Sequence, residues 1–171
     1  MKPEPSTHSP YFSRYIDLVE DTDLLTALDN LTSEGHSFWL DITEEQGNFR
    51  YAEGKWSIKE VLQHIIDTER IFSYRALAIA RGDTTSLPGY DENTYAANSE
   101  ADSRLMEDLV DELFTVRNAT TTLFNGLTDA ALDRVGTANG ASLSALAAGF
   151  IIVGHEIHHV NVVKDRYLTE S

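Results

Sequence analysis

The stretch that decides the fold is "GKWSIKEVLQHIIDTERIFSYRALAIARGD", Gly54 to Asp83. Ser57 stands at a helix N-cap with Glu60 three residues on, the pattern of a capping box, and Trp56 and Val61 fall where a hydrophobic staple would sit. From Ser57 the apolar positions recur at helical spacing, and "RGD" stops the helix near Arg81. One long amphipathic helix is therefore expected from Ser57 to Arg81. Nothing in it alternates with the period of a strand.

Working outward, the same period recurs. Upstream, Leu24, Leu28, Leu31, Phe38 and Ile42 mark a helix over 23–42 in which Gly35 is a weak point, and Tyr11, Phe12, Tyr15, Ile16 and Val19 mark a short one. Downstream, Leu105, Leu109, Leu113, Val116, Leu123 and Leu127 place a third long helix over 103–125. "DAALDRV" allows a short turn of helix, "GTANGAS" breaks the chain, and a last long helix is expected over 142–167. The polar segment from Thr84 to Asp102 reads as a loop, with Pro88-Gly89 suited to a type II turn. The expected fold is all-α, a four-helix bundle in one domain over 11–171, after a flexible proline-rich lead-in over 1–10.

Composition narrows the function. The net charge of −15 and the absence of any basic cluster argue against a nucleic-acid partner. The chain has no cysteine, which rules out disulfides, thiolate metal sites and a cysteine nucleophile. The N-terminal residues lack the apolar core of a signal peptide, and no run is read as long enough to span a bilayer. A soluble, cytoplasmic protein is expected.

Chemistry concentrates in "GHEIHHVN", Gly154 to Asn161, where His155, Glu156 and His159 spell H-E-x-x-H. On a helix His155 and His159 lie about 40° apart, and Ser144, Ala148, Ile151 and Val162 share their face, so both imidazoles point inward. His64 sits on the side of Val61, Thr68 and Ile71 and is expected to face inward too. Three imidazoles from two facing helices could hold a divalent metal with a position left open; the alternative is a hydrogen-bonded core network. His158 competes with His159 but is turned toward the helix flank. His8 and His36 read as exposed or locally satisfied.

The protease reading of the motif fails on context. After His159 the remaining "VNVVKDRYLTES" offers no histidine and no glycine at the metzincin position. Glu156 is left between a base beside the metal and a solvated helix-face carboxylate, the second being preferred. Asp67 stands equally between orienting a ligating imidazole and lying exposed, and Glu60 belongs to the capping box.

The blocks "GKWSIKEVLQHIIDTERIFSYRALAIARGD", "LPGYDENTY" and "AGFIIVGHEIHHVNVVKDRYL" together resemble the DinB-like superfamily, which includes the YfiT-like metal-dependent hydrolases. The likeness runs from about residue 11 to 168 with the blocks in order. It implies a four-helix bundle, often a homodimer, in which His64, His155 and His159 hold a divalent metal, commonly nickel or zinc. Some members are transferases or isomerases dependent on bacillithiol, mycothiol or glutathione. Those members often carry arginine-glycine-glutamine after the last histidine, where this chain has Val160-Asn161-Val162, so their substrate specificity does not carry over. The leading expectation is a metal-dependent S-transferase using an external small thiol and a small-molecule acceptor. Metal-dependent hydrolysis and non-catalytic metal binding are the alternatives.

Overall fold

The computed structural model describes residues 2–168. In chain order the elements are α1 (Ser13–Ile16), α2 (Leu24–Leu40), α3 (Glu44–Gly47), α4 (Ile58–Ala80), α5 (Glu92–Ala97), α6 (Met106–Asn125), α7 (Asp129–Leu132), β1 (Val135–Ala138), β2 (Ala141–Ser144) and α8 (Ala145–Arg166). The four long helices α2, α4, α6 and α8 form the bundle: α4 packs on α6 and α8, and α2 packs on the same two.

The capping box at α4 is formed as the sequence predicts. Ser57 Oγ accepts from the Glu60 amide at 3.0 Å, and Glu60 accepts from the Ser57 amide at 2.8 Å. Asp23 caps α2, its carboxylate accepting from the Thr26 amide at 3.0 Å. Each cap satisfies N–H groups that the helix itself leaves without partners.

The bundle interior has three zones. At one end Leu24, Leu28, Phe72, Ile79, Phe124 and Ala145 to Val153 form an apolar cluster. At the other, Trp39, Ile58, Leu62, Leu109, Leu113 and Val163 form a second. Between them lies a buried polar layer that includes His64, Glu69, Arg117, His155 and Glu156. Each apolar cluster contributes at ~25 cal/mol per Å² buried, so the two together hold the helices while the middle layer is left free for polar groups.

The all-α bundle is as expected, and several local details differ from the sequence reading. A small hairpin accompanies the helices: β1 pairs antiparallel with β2, Ala138 opposite Ala141. Asn139 and Gly140 turn it with φ of 50° and 73°, the two-residue turn that matches strand twist. Strand β2 uses up the residues expected to open the last helix, which instead begins at Ala145 with Ser144 as its N-cap. Pro88-Gly89 is not a type II turn, because Gly89 lacks the positive φ such a turn requires. The cause is Leu87, whose backbone bonds to Thr137 and Asn139 at 2.9 Å each way and keeps the segment extended.

The lead-in over 1–10, expected to be flexible, is packed from residue 2 onward. Pro5–Thr7 and Pro10–Phe12 form short 3-10 turns, and between them His8 bridges Leu143 of β2 and is buried. Proline presets φ, so these residues cost less entropy to order than their polarity suggests. Lastly, α8 is long and apolar enough by length and composition to cross a membrane, contrary to the sequence reading, but most of its apolar window is buried inside the bundle.

Candidate metal centre

Helix α4 supplies His64 and α8 supplies His155 and His159. The Nε2 atoms of His64 and His155 lie 3.0 Å apart, and those of His155 and His159 lie 3.1 Å apart. All three rings offer a nitrogen within 4.8 Å of one another. A zinc–imidazole bond is ~2.0–2.1 Å, so two ligands on one ion at tetrahedral or octahedral angles stand about 3.0–3.4 Å apart. The spacings of His155 from His64 and from His159 fit a shared ion.

The protonation states fit as well. Burial drives the His64 pKa down to about 4. It drives His155 and His159 well below the usual imidazole value, with neighbouring imidazoles adding to the effect. All three rings are therefore neutral at pH 7, the form that binds metals through nitrogen. The charges that act most strongly on His155 and His159 are neighbouring imidazoles and Arg14. Among the described residues no Asp or Glu joins the cluster as a fourth protein ligand. The donor set thus suits a borderline divalent ion with coordination positions to spare.

Gly154 is what brings the third wall of the site into place. A Cβ on it would run into the backbone carbonyl of Tyr15, so only glycine lets α1 lie this close on α8. The Tyr15 ring consequently packs edge-on against both His155 and His158, with centroids 5.3 Å apart in each pair. Trp56, just before α4, covers His64 at 5.0 Å between ring centroids. His158 is partly exposed and stays outside the converging set.

The triad opens on a cavity of 420 Å³ whose lining includes Tyr15, Trp56, Phe72, Arg75, Tyr90 and Asn139. That volume suits a small molecule. Thr68 and Tyr90 share a hydrogen bond of 2.7 Å on its wall. Burial raises the Tyr15 pKa to about 12, assisted by Tyr11 and opposed by Arg14, so its hydroxyl stays protonated.

Glu156 occupies neither role considered for it. It is 1% exposed, accepts from Trp39 Nε1 at 3.0 Å and is paired with Arg117 at 2.6 Å. Arg117 also grips Glu69 through two bonds of 2.9 and 2.7 Å. Burial would lower the Arg117 pKa, but Glu156 and Glu69 outweigh it and raise the value. Gly35 makes the room: a Cβ there would lie 2.7 Å from Glu156 Oε1, so the weak point of the sequence reading is a place cleared for a carboxylate. Asp67 is half-buried and accepts from Gln63 Nε2 at 2.9 Å, and it does not contact His64. His36 stacks edge-on with Phe114, and His8 is buried rather than exposed.

Sequence reasoning missed Arg75, Trp56 and the α1 tyrosines as parts of the site. Arg75 had a signal: eleven positions after His64, it returns to within about 20° of it around the helix, on the face shared by Thr68 and Phe72.

The fold and the site define a helical-bundle protein whose three converging histidines, beside a cavity, could hold a metal ion. The chain belongs to the DinB superfamily, whose sequence pattern matches residues 23–163. By structure it is similar to YfiT from Bacillus subtilis, with a TM-score of 0.69 and 18% sequence identity over 96% of this chain and 90% of that one. YfiT is described as a probable metal-dependent hydrolase with an unusual four-helix bundle topology. No curated protein matches the sequence.

Proposed function

We propose that the chain is a divalent-metal-dependent enzyme acting on a small molecule in the 420 Å³ cavity, with an external low-molecular-weight thiol as nucleophile. The observation that carries this reading is the cluster of three neutral imidazoles with no carboxylate among them. A divalent ion held there by His64, His155 and His159, nickel or zinc as the family resemblance implies, would supply Lewis-acid activation of the nucleophile. The protein's own share is to keep the imidazoles unprotonated by burial, and to fix them with Trp56 on one side and Tyr15 on the other.

Glu156 is committed to Arg117 and Trp39, and among the described residues no Asp or Glu joins the triad. A thiol, with an unperturbed pKa of ~8.5, needs less activation than free water at ~15.7, while water on a bound zinc comes down to ~7 and keeps hydrolysis in contention. Since the chain has no cysteine, the thiol has to come from outside. Hydrolysis is the second reading, and the description of YfiT favours it.

The test is thiol dependence. Metal-loaded protein is incubated with chlorinated and epoxide acceptors with and without bacillithiol, mycothiol or glutathione, and in parallel with simple amides and esters. Conjugation that needs both metal and thiol supports the first reading. Turnover of an amide or ester without thiol moves the assignment to hydrolysis, and bound metal with neither activity removes both.

A further inference from the structure

Two arginines of this protein are buried in the bundle, and they are treated in opposite ways. Arg117 is 2% exposed and holds two carboxylates. Arg75 is 4% exposed and is paired with none among the described residues. One Arg75 nitrogen donates to the Pro88 carbonyl at 2.7 Å, and the guanidinium lies 4.8 Å over the Phe72 ring. A guanidinium has five N–H donors, so most of its capacity is unspent. The other side-chain nitrogens are not sealed in, since among the described residues His8 Nδ1 is the one buried polar side-chain atom without a partner. They open on the cavity, which Arg75 lines.

This is unexpected in a chain with 28 acidic against 13 basic residues. A buried cation without a counter-charge is costly, and carboxylates to pair with it are plentiful elsewhere on the surface. The cavity lining departs from the overall balance too: Arg14 and Arg75 face Glu92 as its charged residues, and the triad adds a place for a metal cation. Arg14 is exposed to solvent and gives one nitrogen to the hydroxyls of Tyr11 and Tyr15, so Arg75 is the buried cation of the lining. Burial lowers the Arg75 pKa, with Tyr90 opposing the shift, and a guanidinium remains charged even so.

We propose that Arg75 is the anchor for a carboxylate carried by the substrate. This rests on the reading of the cavity as the reaction site and adds a substrate class to it. By helical rise Arg75 lies about 16 Å along α4 from His64. The acid therefore sits at the far end of the substrate from the reacting group, with the aromatic wall at Phe72 and Tyr90 beside it.

Binding is measured by calorimetry with benzoate and hexanoate, their neutral amides benzamide and hexanamide, and inorganic phosphate. The proteins are metal-loaded wild type, Arg75→Gln, Arg75→Lys and His64→Ala, each checked for helicity and metal content. The acids are expected to bind the wild type at millimolar concentration and the amides to bind at least about tenfold more weakly. Arg75→Gln should lose about ten- to a hundredfold in acid affinity at unchanged metal content, the scale of a hydrogen bond to a charged group. Arg75→Lys should retain part of the preference for acid over amide, and His64→Ala should retain all of it. If Arg75→Gln fails to fold, Arg75→Lys carries the comparison: a residue that merely clamps Pro88 would change stability and leave acid affinity untouched.

Acid binding that survives Arg75→Gln but disappears in His64→Ala places the acid on the metal and overturns the proposal. Equal binding of acids and amides, binding of phosphate alone, or binding of none overturns it as well. Full metal content in His64→Ala would instead remove the metal reading, while leaving an Arg75-dependent preference for acids intact.

Discussion

Two neighbouring residues of α8 point into two different kinds of polar interior. His155 joins His64 and His159 at the wall of a cavity, its Nε2 lying 3.0 and 3.1 Å from theirs. Glu156, one residue on, enters a closed network in which Arg117, Glu69 and Trp39 answer each other. The first arrangement could hold a cation and has room for a ligand beside it. The second is complete and has no room even for a methyl group at Gly35. The difference teaches that burial of polar groups is not in itself a mark of function; what marks the candidate site is a cluster of neutral donors beside open volume.

The sharpest way to break this contrast is at the triad. His64→Ala is expected to abolish stoichiometric metal binding, a larger effect than the ~10–100-fold that loss of a partner to a metal ligand costs. Elemental analysis of the dialysed protein reads it, and full occupancy would dissolve the distinction between the two regions.

On the other side, Arg117→Met leaves Glu69 and Glu156 buried and uncompensated. A loss of about 3–5 kcal/mol is expected by denaturant unfolding, with metal content per folded molecule unchanged. Glu156→Gln separates the roles further, since a general base would lose turnover at nearly constant stability, whereas a network member loses stability first.

A third test uses pH on metal-free protein. The His64 pKa falls from 6.5 in the unfolded chain to about 4 when folded. Below 6.5 the unfolded chain takes up protons that the native site does not. The stability is therefore full above about pH 6.5 and is lost as pH falls toward 4, by on the order of 3 kcal/mol for this residue. His155 and His159, lowered in the same direction, add to it. Metal saturation should suppress the loss, because bound imidazole cannot protonate. A flat stability profile from pH 7 to 4 would mean that the imidazoles are not buried.

Gly154→Ala is expected to cost about 1–3 kcal/mol by forcing α1 off α8, and to loosen the Tyr15 wall of the site. Thermal unfolding measures the first effect and tyrosine fluorescence the second. The smallest effect belongs to His158→Ala, which should leave metal content unchanged and shift stability by less than about 1 kcal/mol, since the ring is partly exposed. Metal loss in this variant would exchange His158 for His159 in the site.

Much of this was legible in the sequence. The capping box at Ser57 and Glu60 announced α4, because its hydrogen bonds are local and need no other part of the chain. The inward direction of His155 and His159 followed from helical arithmetic, and His64 from its apolar neighbours. The hairpin had a signal in Asn139-Gly140 that four-residue strands were too short to reinforce with alternation. The proline-rich start looked mobile because its polarity says nothing about the strand it lies on.

By itself, then, the sequence determined periodicity, caps and which residues share a helix face, all consequences of bonds spanning three or four positions. Only the tertiary structure decided that Glu156 meets Arg117 and Trp39, that Gly35 and Gly154 are clearances for a carboxylate and a carbonyl, and that Arg75 is left without a carboxylate. Those are relations between helices distant in the chain: His64 and His155 stand 91 residues apart and touch at 3.0 Å. Which buried charge finds a partner depends on how the helices are seated against one another, and a one-dimensional pattern does not carry that.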